Sequence, residues 1–160
     1  MAVAKGRIFR SVLPAALWRL EDPLSDIEQV ELVAALSDKL VRLSGGTDHC
    51  TPLRLPSLLH VRDLIAADPF TPHSAESLER VSCLDRWTLA RQFRAAFGTS
   101  PSAFRTMRRL DRVRRMIRDG MPLAEAAVEA GFANQSHMSR LFKRTYGLTP
   151  ARWAALSLRA

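Results

Sequence analysis

The side chains in this sequence best suited to chemistry are arginines. Two of them, Arg91 and Arg140, stand 49 residues apart at the same place in a repeated string. The first copy is Leu89-Ala90-Arg91-Gln92-Phe93-Arg94-Ala95-Ala96-Phe97-Gly98-Thr99-Ser100-Pro101. The second is Met138-Ser139-Arg140-Leu141-Phe142-Lys143-Arg144-Thr145-Tyr146-Gly147-Leu148-Thr149-Pro150. Both read apolar-x-Arg-x-Phe-basic-x-x-aromatic-Gly-x-(Ser/Thr)-Pro. A guanidinium is a planar fork that pairs bidentately with acceptor pairs, so an arginine held outward on a helix suits a polyanion or the edge of a base. Six more arginines, Arg105, Arg108, Arg109, Arg112, Arg114 and Arg115, crowd one stretch between the copies. The chain carries +8 overall, from 24 basic and 16 acidic residues. Residues 1–55 hold seven of each sign, so the whole excess lies in residues 56–160, a basic region beside a neutral one. That asymmetry points to a polyanion partner.

Other chemistries find no footing. The sequence has no Gly-rich phosphate loop, no H-E-x-x-H and no Ser or Cys with His at a recognised spacing, so an enzyme is not expected. His49, Cys50, His60 and His73 lack metal-ligand spacing, and no metal or cofactor is expected. Cys50 and Cys83 are too few and too far apart for a secreted disulfide scaffold. No apolar run reaches the roughly 18–20 residues that span a bilayer. Met1–Leu20 is broken by Pro14 and Arg19 and does not read as a signal peptide, so no membrane partner and a cytoplasmic location are the expectation.

The elements that must hold the arginines are helices. In each copy the apolar residue, the Phe and the aromatic fall at i, i+4 and i+8, one helix face. The Gly follows at a left-handed C′ position, Ser or Thr caps the next helix, and Pro takes its first position. The spacing predicts helices over Leu58–Ala67, Ser74–Ser82, Arg86–Phe97 (capped by Asp85), Pro101–Arg118, Pro122–Ala130, Gln135–Tyr146 and Pro150–Leu156. In Pro101–Arg118 the apolar positions are Phe104, Met107, Leu110, Val113, Met116 and Ile117, and the arginines take the other faces. Ahead of these, Asp22-Pro23 opens a helix with Ile27, Val30, Val33, Leu36, Leu40 and Leu43 on one stripe, and Gly45-Gly46 stops it. Residues 44–56 read as a linker, and Gly6–Leu13 as a strand or an irregular segment. The region from residue 57 shows no strand-like alternation, so the domain is all-α. The N-terminal stripe cannot be buried by one helix alone, which predicts self-association or docking onto the following domain.

Upstream of each repeat lies a short helix and a turn. In the second, Leu123-Ala124-Glu125-Ala126-Ala127-Val128-Glu129-Ala130 precedes Gly131-Phe132-Ala133-Asn134. Small residues permit a close helix crossing and Gly131 permits the turn, which is the helix-turn-helix plan. The second helix of such a pair enters the major groove by its N-terminal end. On these residues the sequence resembles the DNA-binding domain of the AraC/XylS family of transcription regulators over about residues 57–156. The match is strongest from Leu123 to Pro150, where Ala-Gly-Phe-Ala-Asn-Gln-Ser-His-Met-Ser-Arg-Leu-Phe-Lys, from Ala130 to Lys143, resembles the family signature closely.

The resemblance implies a seven-helix domain of two helix-turn-helix subdomains joined by a long central helix and preceded by a short helical segment. It divides the chain into residues 1–55, akin to the helical tail of a sensor or dimerisation domain, and residues 56–160, with helix-turn-helix units at about 74–97 and 122–146. It implies control of transcription at promoters, most often activation, with double-stranded DNA as partner, RNA polymerase as a candidate partner, and a homodimer through the N-terminal helix as a candidate assembly. By the family pattern the first recognition helix presents Arg86, Trp87, Ala90 and Arg91, and the second presents Asn134, Gln135, Ser136, His137 and Arg140. Lys143, Arg105, Arg108, Arg109 and Arg112 are the phosphate candidates. Glu79 stands where the family usually has a small residue, which predicts looser packing in the first subdomain. The alternative is a truncated interaction protein that pairs with a full-length regulator. Six phosphates met by the central arginines would give a log–log salt slope of about −5. The 18-residue central helix would span about 27 Å, enough for one chain to reach two groove segments.

Overall fold

The computed structural model describes residues 24–44 and 52–157. Among these, every regular element is a helix: α1 Asp26–Leu43, α2 Leu55–Ala67, α3 Ala75–Ser82, α4 Arg86–Phe97, α5 Pro101–Arg118, α6 Leu123–Glu129, α7 Gln135–Tyr146 and α8 Pro150–Ser157. The seven helices after α1 match the expected set. The bounds of α4, α5 and α7 are those expected; α2 starts at Leu55, three residues early, inside the expected linker. α1 begins after Ser25, where Ser25 and Glu28 form a reciprocal capping box in which the Ser25 N–H donates to the Glu28 carboxylate at 3.1 Å. Gly6–Leu13, Asp22-Pro23, Gly45-Gly46, His49 and Cys50 lie outside the described residues.

The chain falls into two compact units. The first holds the described residues up to Leu64 and His73–Ser102; the second holds Ile65–Pro72 and the described residues from Ala103. The first unit buries Leu58, Val61, Leu78, Leu84, Leu89 and Phe93 together with Val30 and Ala34 of α1. α1 packs against α4 and α3, so the docking expectation is met on its Val30–Ala34 face. Two carboxylates of α1 also serve the ends of other helices. Asp26 accepts from the backbone N–H of Ala75 at 3.2 Å, at the start of α3. Glu31, buried, accepts from the Ser102 N–H at 2.9 Å and from the Ser102 hydroxyl, at the start of α5. Orphan N–H groups and the positive helix end make both positions favourable for a carboxylate. Burial pushes the Glu31 carboxyl above its ordinary 4.5, against the pull of the Ser102 hydrogen bonds.

The second unit closes around Leu110, Val113, Met116, Ile117, Ala126, Ala127, Phe132, Met138, Leu141 and Phe142, with Tyr146 and Trp153 packed on this core. Phe142 meets both aromatics edge-on, at centroid distances of 4.7 Å to Tyr146 and 6.3 Å to Trp153. The expected apolar stripe of α5 holds in its second half; Phe104 is half-buried and Met107 is exposed. Asp111 accepts from the Tyr146 hydroxyl at 2.9 Å, and Arg114 lies over the Tyr146 and Trp153 rings at 4.9 and 5.4 Å.

Candidate nucleic-acid interface

Each unit builds a short helix, a turn and a capped second helix. In the first, α3 ends at Cys83, which adopts φ 54°, and Asp85 opens α4 by accepting from the Trp87 and Thr88 N–H groups at 3.1 and 3.0 Å. In the second, α6 ends at Ala130, Gly131 adopts φ 72°, and Asn134 opens α7 by accepting from the His137 N–H at 2.8 Å. The second turn is a Schellman motif: Phe132 N–H donates to Ala127 O at 2.9 Å and Gly131 N–H to Val128 O at 2.8 Å. α4 and α7 then end alike, with Gly98 and Gly147 left-handed and their N–H groups bonded to Arg94 and Lys143 carbonyls at 2.8 Å. The repeat seen in the sequence is therefore a repeat of caps as well as of apolar positions.

On α4 the structure exposes Trp87 and Arg91. Arg86 is half-exposed and engaged: its backbone N–H, Nε and Nη2 all donate to the Glu79 carboxylate, at 2.7, 3.0 and 3.0 Å. These hydrogen bonds hold the Glu79 carboxyl below the usual carboxylate range. Ala90 departs from expectation. It is 3% exposed, lining the seam with Ile27 and Val30 of α1, so it is a packing residue. On α7, Gln135, Ser136 and Arg140 are exposed, as are Lys143 one turn further and Asn134 at the cap; His137 is half-buried, edge-on to Phe132 at 5.8 Å.

The central-helix cations divide. Arg108 and Arg112 are exposed, and Arg108 lies 3.6 Å from Asp111. Arg105 is half-buried and donates to the Pro69 and Phe70 carbonyls at 2.8 and 2.7 Å. Arg109 is buried, with its Nε donating to Ala130 O at 2.8 Å. Two of the four α5 phosphate candidates thus spend their donors inside the second unit, because a carbonyl at a turn or helix end is an acceptor that a nearby guanidinium can satisfy.

Sequence reasoning missed three polar roles. Glu79 was a packing anomaly in the sequence but is the acceptor for Arg86; a carboxylate seven residues ahead of an arginine, across a turn, has no periodic signature. Buried Gln92 accepts from the Arg54 N–H at 2.9 Å and donates to Pro52 O at 3.2 Å, tying the segment before α2 to α4. Glu31 reaches a helix 71 residues away. The only signal for any of them was a polar residue on an otherwise apolar face.

Two capped helix-turn-helix units in an all-α fold define the class of protein. Residues 78–155 match a family model described as a helix-turn-helix domain. A protein of Streptomyces antibioticus described as an AraC-like transcription regulator is 33% identical over 84 residues, which is 52% of this chain and 28% of that protein. The RCS-specific HTH-type transcriptional activator RclR of Escherichia coli is 32% identical over 81 residues, 50% of this chain and 28% of RclR. The crystal structure of the DNA-binding domain of AdpA, a global transcriptional factor in complex with a target DNA, matches with a TM-score of 0.56 at 23% identity, covering 62% of this chain and 91% of that one. Residues 78–155 thus carry a helix-turn-helix domain similar to those of AraC-like regulators, and the chain spans under a third of the length of these two curated relatives. No helix among the described residues is long and apolar enough to cross a membrane.

Proposed function

We propose that this chain is a sequence-specific transcription regulator that reads promoter DNA with α4 and α7, each set into a major-groove segment. The observation that carries the reading is the matched exposure of Arg91 and Arg140, each two residues past a buried apolar anchor (Leu89 and Met138) on a capped helix. Arg91 and Arg140 suit guanine O6 and N7, and Gln135 suits adenine. Trp87 suits the DNA backbone or a thymine methyl. Arg108, Arg112 and Lys143, all exposed, suit phosphate. The protein acts in the cytoplasm as an activator, with RNA polymerase as the partner it contacts.

Selection of bound duplexes from a random pool tests this reading. The expected site has two unlike segments, with Arg91→Ala relaxing one and Arg140→Ala the other, each by about 1–3 kcal/mol. A preference confined to one segment, or an equal loss on all sequences, overturns it. With Arg105 and Arg109 engaged, four phosphate contacts from Arg108, Arg112, Lys143 and the likewise exposed Arg115 would give a log–log salt slope of about −3.6, shallower than six contacts would give.

A second reading concerns α1. Val33, Leu40 and Leu43 are exposed, and with half-buried Leu36 they repeat at the spacing of a coiled-coil seam. We infer that this outer stripe pairs with α1 of a second copy. The acidic first turn (Asp26, Glu28) and basic last turn (Arg42) favour an antiparallel pair. Sedimentation of the intact chain should show a dimer that Leu40→Glu dissociates; a monomer at all concentrations overturns it.

A further inference from the structure

Arg109 is the one arginine among the described residues that is buried, at 8% exposure. Its guanidinium contacts Ala130 and Phe132 of the α6–α7 turn and lies over the space that a side chain on Gly131, between them, would fill. Nε donates to the Ala130 carbonyl at 2.8 Å. Cζ lies 4.0 Å from the centroid of the Phe132 ring. Nη2 lies 3.4 Å from where a Cβ on Gly131 would stand. The Ala130 carbonyl belongs to the C-terminal end of α6, the negative end of the helix, and the ring face is electron-rich, so both favour a cation. Burial, and then the neighbouring Arg105 charge, lower Arg109 to about 10, so it remains a cation at neutral pH.

Phe132 carries the contact onward. Its ring meets His137 edge-on, at 5.8 Å and 89°, and the His137 N–H is held by the Asn134 cap at 2.8 Å. A continuous line of contacts thus runs from α5, through the turn, into the first turn of α7. That turn carries Gln135, Ser136 and His137, the end of the helix that a major groove would receive. Any rotation of Phe132 would reach His137 directly.

We propose that Arg109 is a positioning residue for the second reader: through Ala130, Gly131 and Phe132 it sets the angle at which α7 presents its N-terminal turn, instead of meeting a phosphate. The inference rests on α7 reading bases. A planar fork is required, because one donor must reach a carbonyl while the plane covers a ring; the compact ammonium of lysine has no plane to offer.

The test uses the intact chain with R109K, R109M and F132L, with R112A as the comparison for a phosphate contact. Circular dichroism and thermal melting establish which variants are folded at the binding temperature. F132L leaves the Ala130 hydrogen bond in place, so it remains informative if R109M does not fold. Site selection and salt titrations are then run on each. R109K and F132L should lose roughly tenfold of the discrimination in the segment relaxed by Arg140→Ala, while the other segment keeps its preference and the salt slope stays that of the parent. R112A should do the reverse, lowering the slope by about 0.9 and leaving both preferences intact. R109K behaving as the parent, with R109M lowering the slope like R112A, overturns the positioning role. If the parent itself shows no two-segment preference, the functional reading fails; if the parent shows it and R109K retains it, only the positioning inference fails.

Discussion

In the first unit the left-handed residue of the turn is Cys83, at φ 54°; in the second it is Gly131, at φ 72°. One residue further, both units bury an apolar side chain, Leu84 and Phe132. Four residues back stand Glu79 in α3 and Ala127 in α6. The helix cap follows two residues after Cys83, at Asp85, but three after Gly131, at Asn134. The offset of 49 that relates the recognition helices is therefore 48 in the turns, and the second turn has one residue more. Ala127 is wholly buried at the crossing of its two helices. Glu79 cannot bury a bare carboxylate, so it turns to Arg86 and ties the start of α4 to α3. The expected looseness of the first unit is replaced by a polar brace. The first turn is closed locally, with the Ser82 hydroxyl accepting from the Leu84 N–H at 3.2 Å and donating to Leu78 O at 2.7 Å. The second takes its closing cation, Arg109, from α5. One architecture thus tolerates quite different polar chemistry wherever every donor and acceptor is matched.

Exchanging the two equivalent residues is the strongest way to break the comparison. Ala127→Glu would place a carboxylate at a fully buried site with no guanidinium provided, and should cost about 3 kcal/mol or more. Glu79→Ala should be far milder, since α3 and α4 keep their apolar contacts. Urea denaturation of both variants checks this, and equal losses would show that the two positions respond alike and that the Arg86 brace does not set them apart. The left-handed residues come next. Gly131→Ala should cost about 1–2 kcal/mol for the strained backbone. Cys83→Gly should gain about 0.5 kcal/mol, the strain relieved less the added flexibility of glycine. A loss on Cys83→Gly in thermal melting would mean that the Cys83 side chain contributes more than its backbone costs.

The smallest effect separates the units by pH. Glu31, Glu79 and Asp85, three described carboxyls with shifted titration, lie in the first unit. Glu31 is raised by burial, so its contribution is fully present below 4.5 and is lost as pH rises through its folded value. Glu79 and Asp85 are lowered, so theirs is present above their ordinary 4.5 and 3.8 and is lost as pH falls. The stability of the parent relative to Glu31→Gln should therefore decline as pH rises from about 4.5. A difference that is flat in pH would mean that Glu31 titrates normally. In the second unit Tyr146 is pushed up to about 12, first by burial and then by Asp111, which is far from this window.

The helices of this protein were determined by local sequence. Asp85, Gly98, Pro101 and Gly147 each act within one turn of the chain, which is why the bounds of α4, α5 and α7 agree with those expected. The buried anchors Leu89, Phe93, Met138 and Phe142 were legible for the same reason, since helical spacing alone brings them to one face. Which cations face outward was decided by the tertiary structure. Arg105 and Arg109 looked like Arg108 and Arg112 in the sequence, four arginines on one helix. They differ because Pro69, Phe70 and Ala130, supplied by distant segments, hold carbonyls within reach of only two of them. In the same way Arg86 became engaged through Glu79, and Ala90 became buried through α1. A helix face announces itself by period, whereas a hydrogen bond between segments 21, 36 or 71 residues apart leaves no period to read and exists only once packing has brought its two ends together.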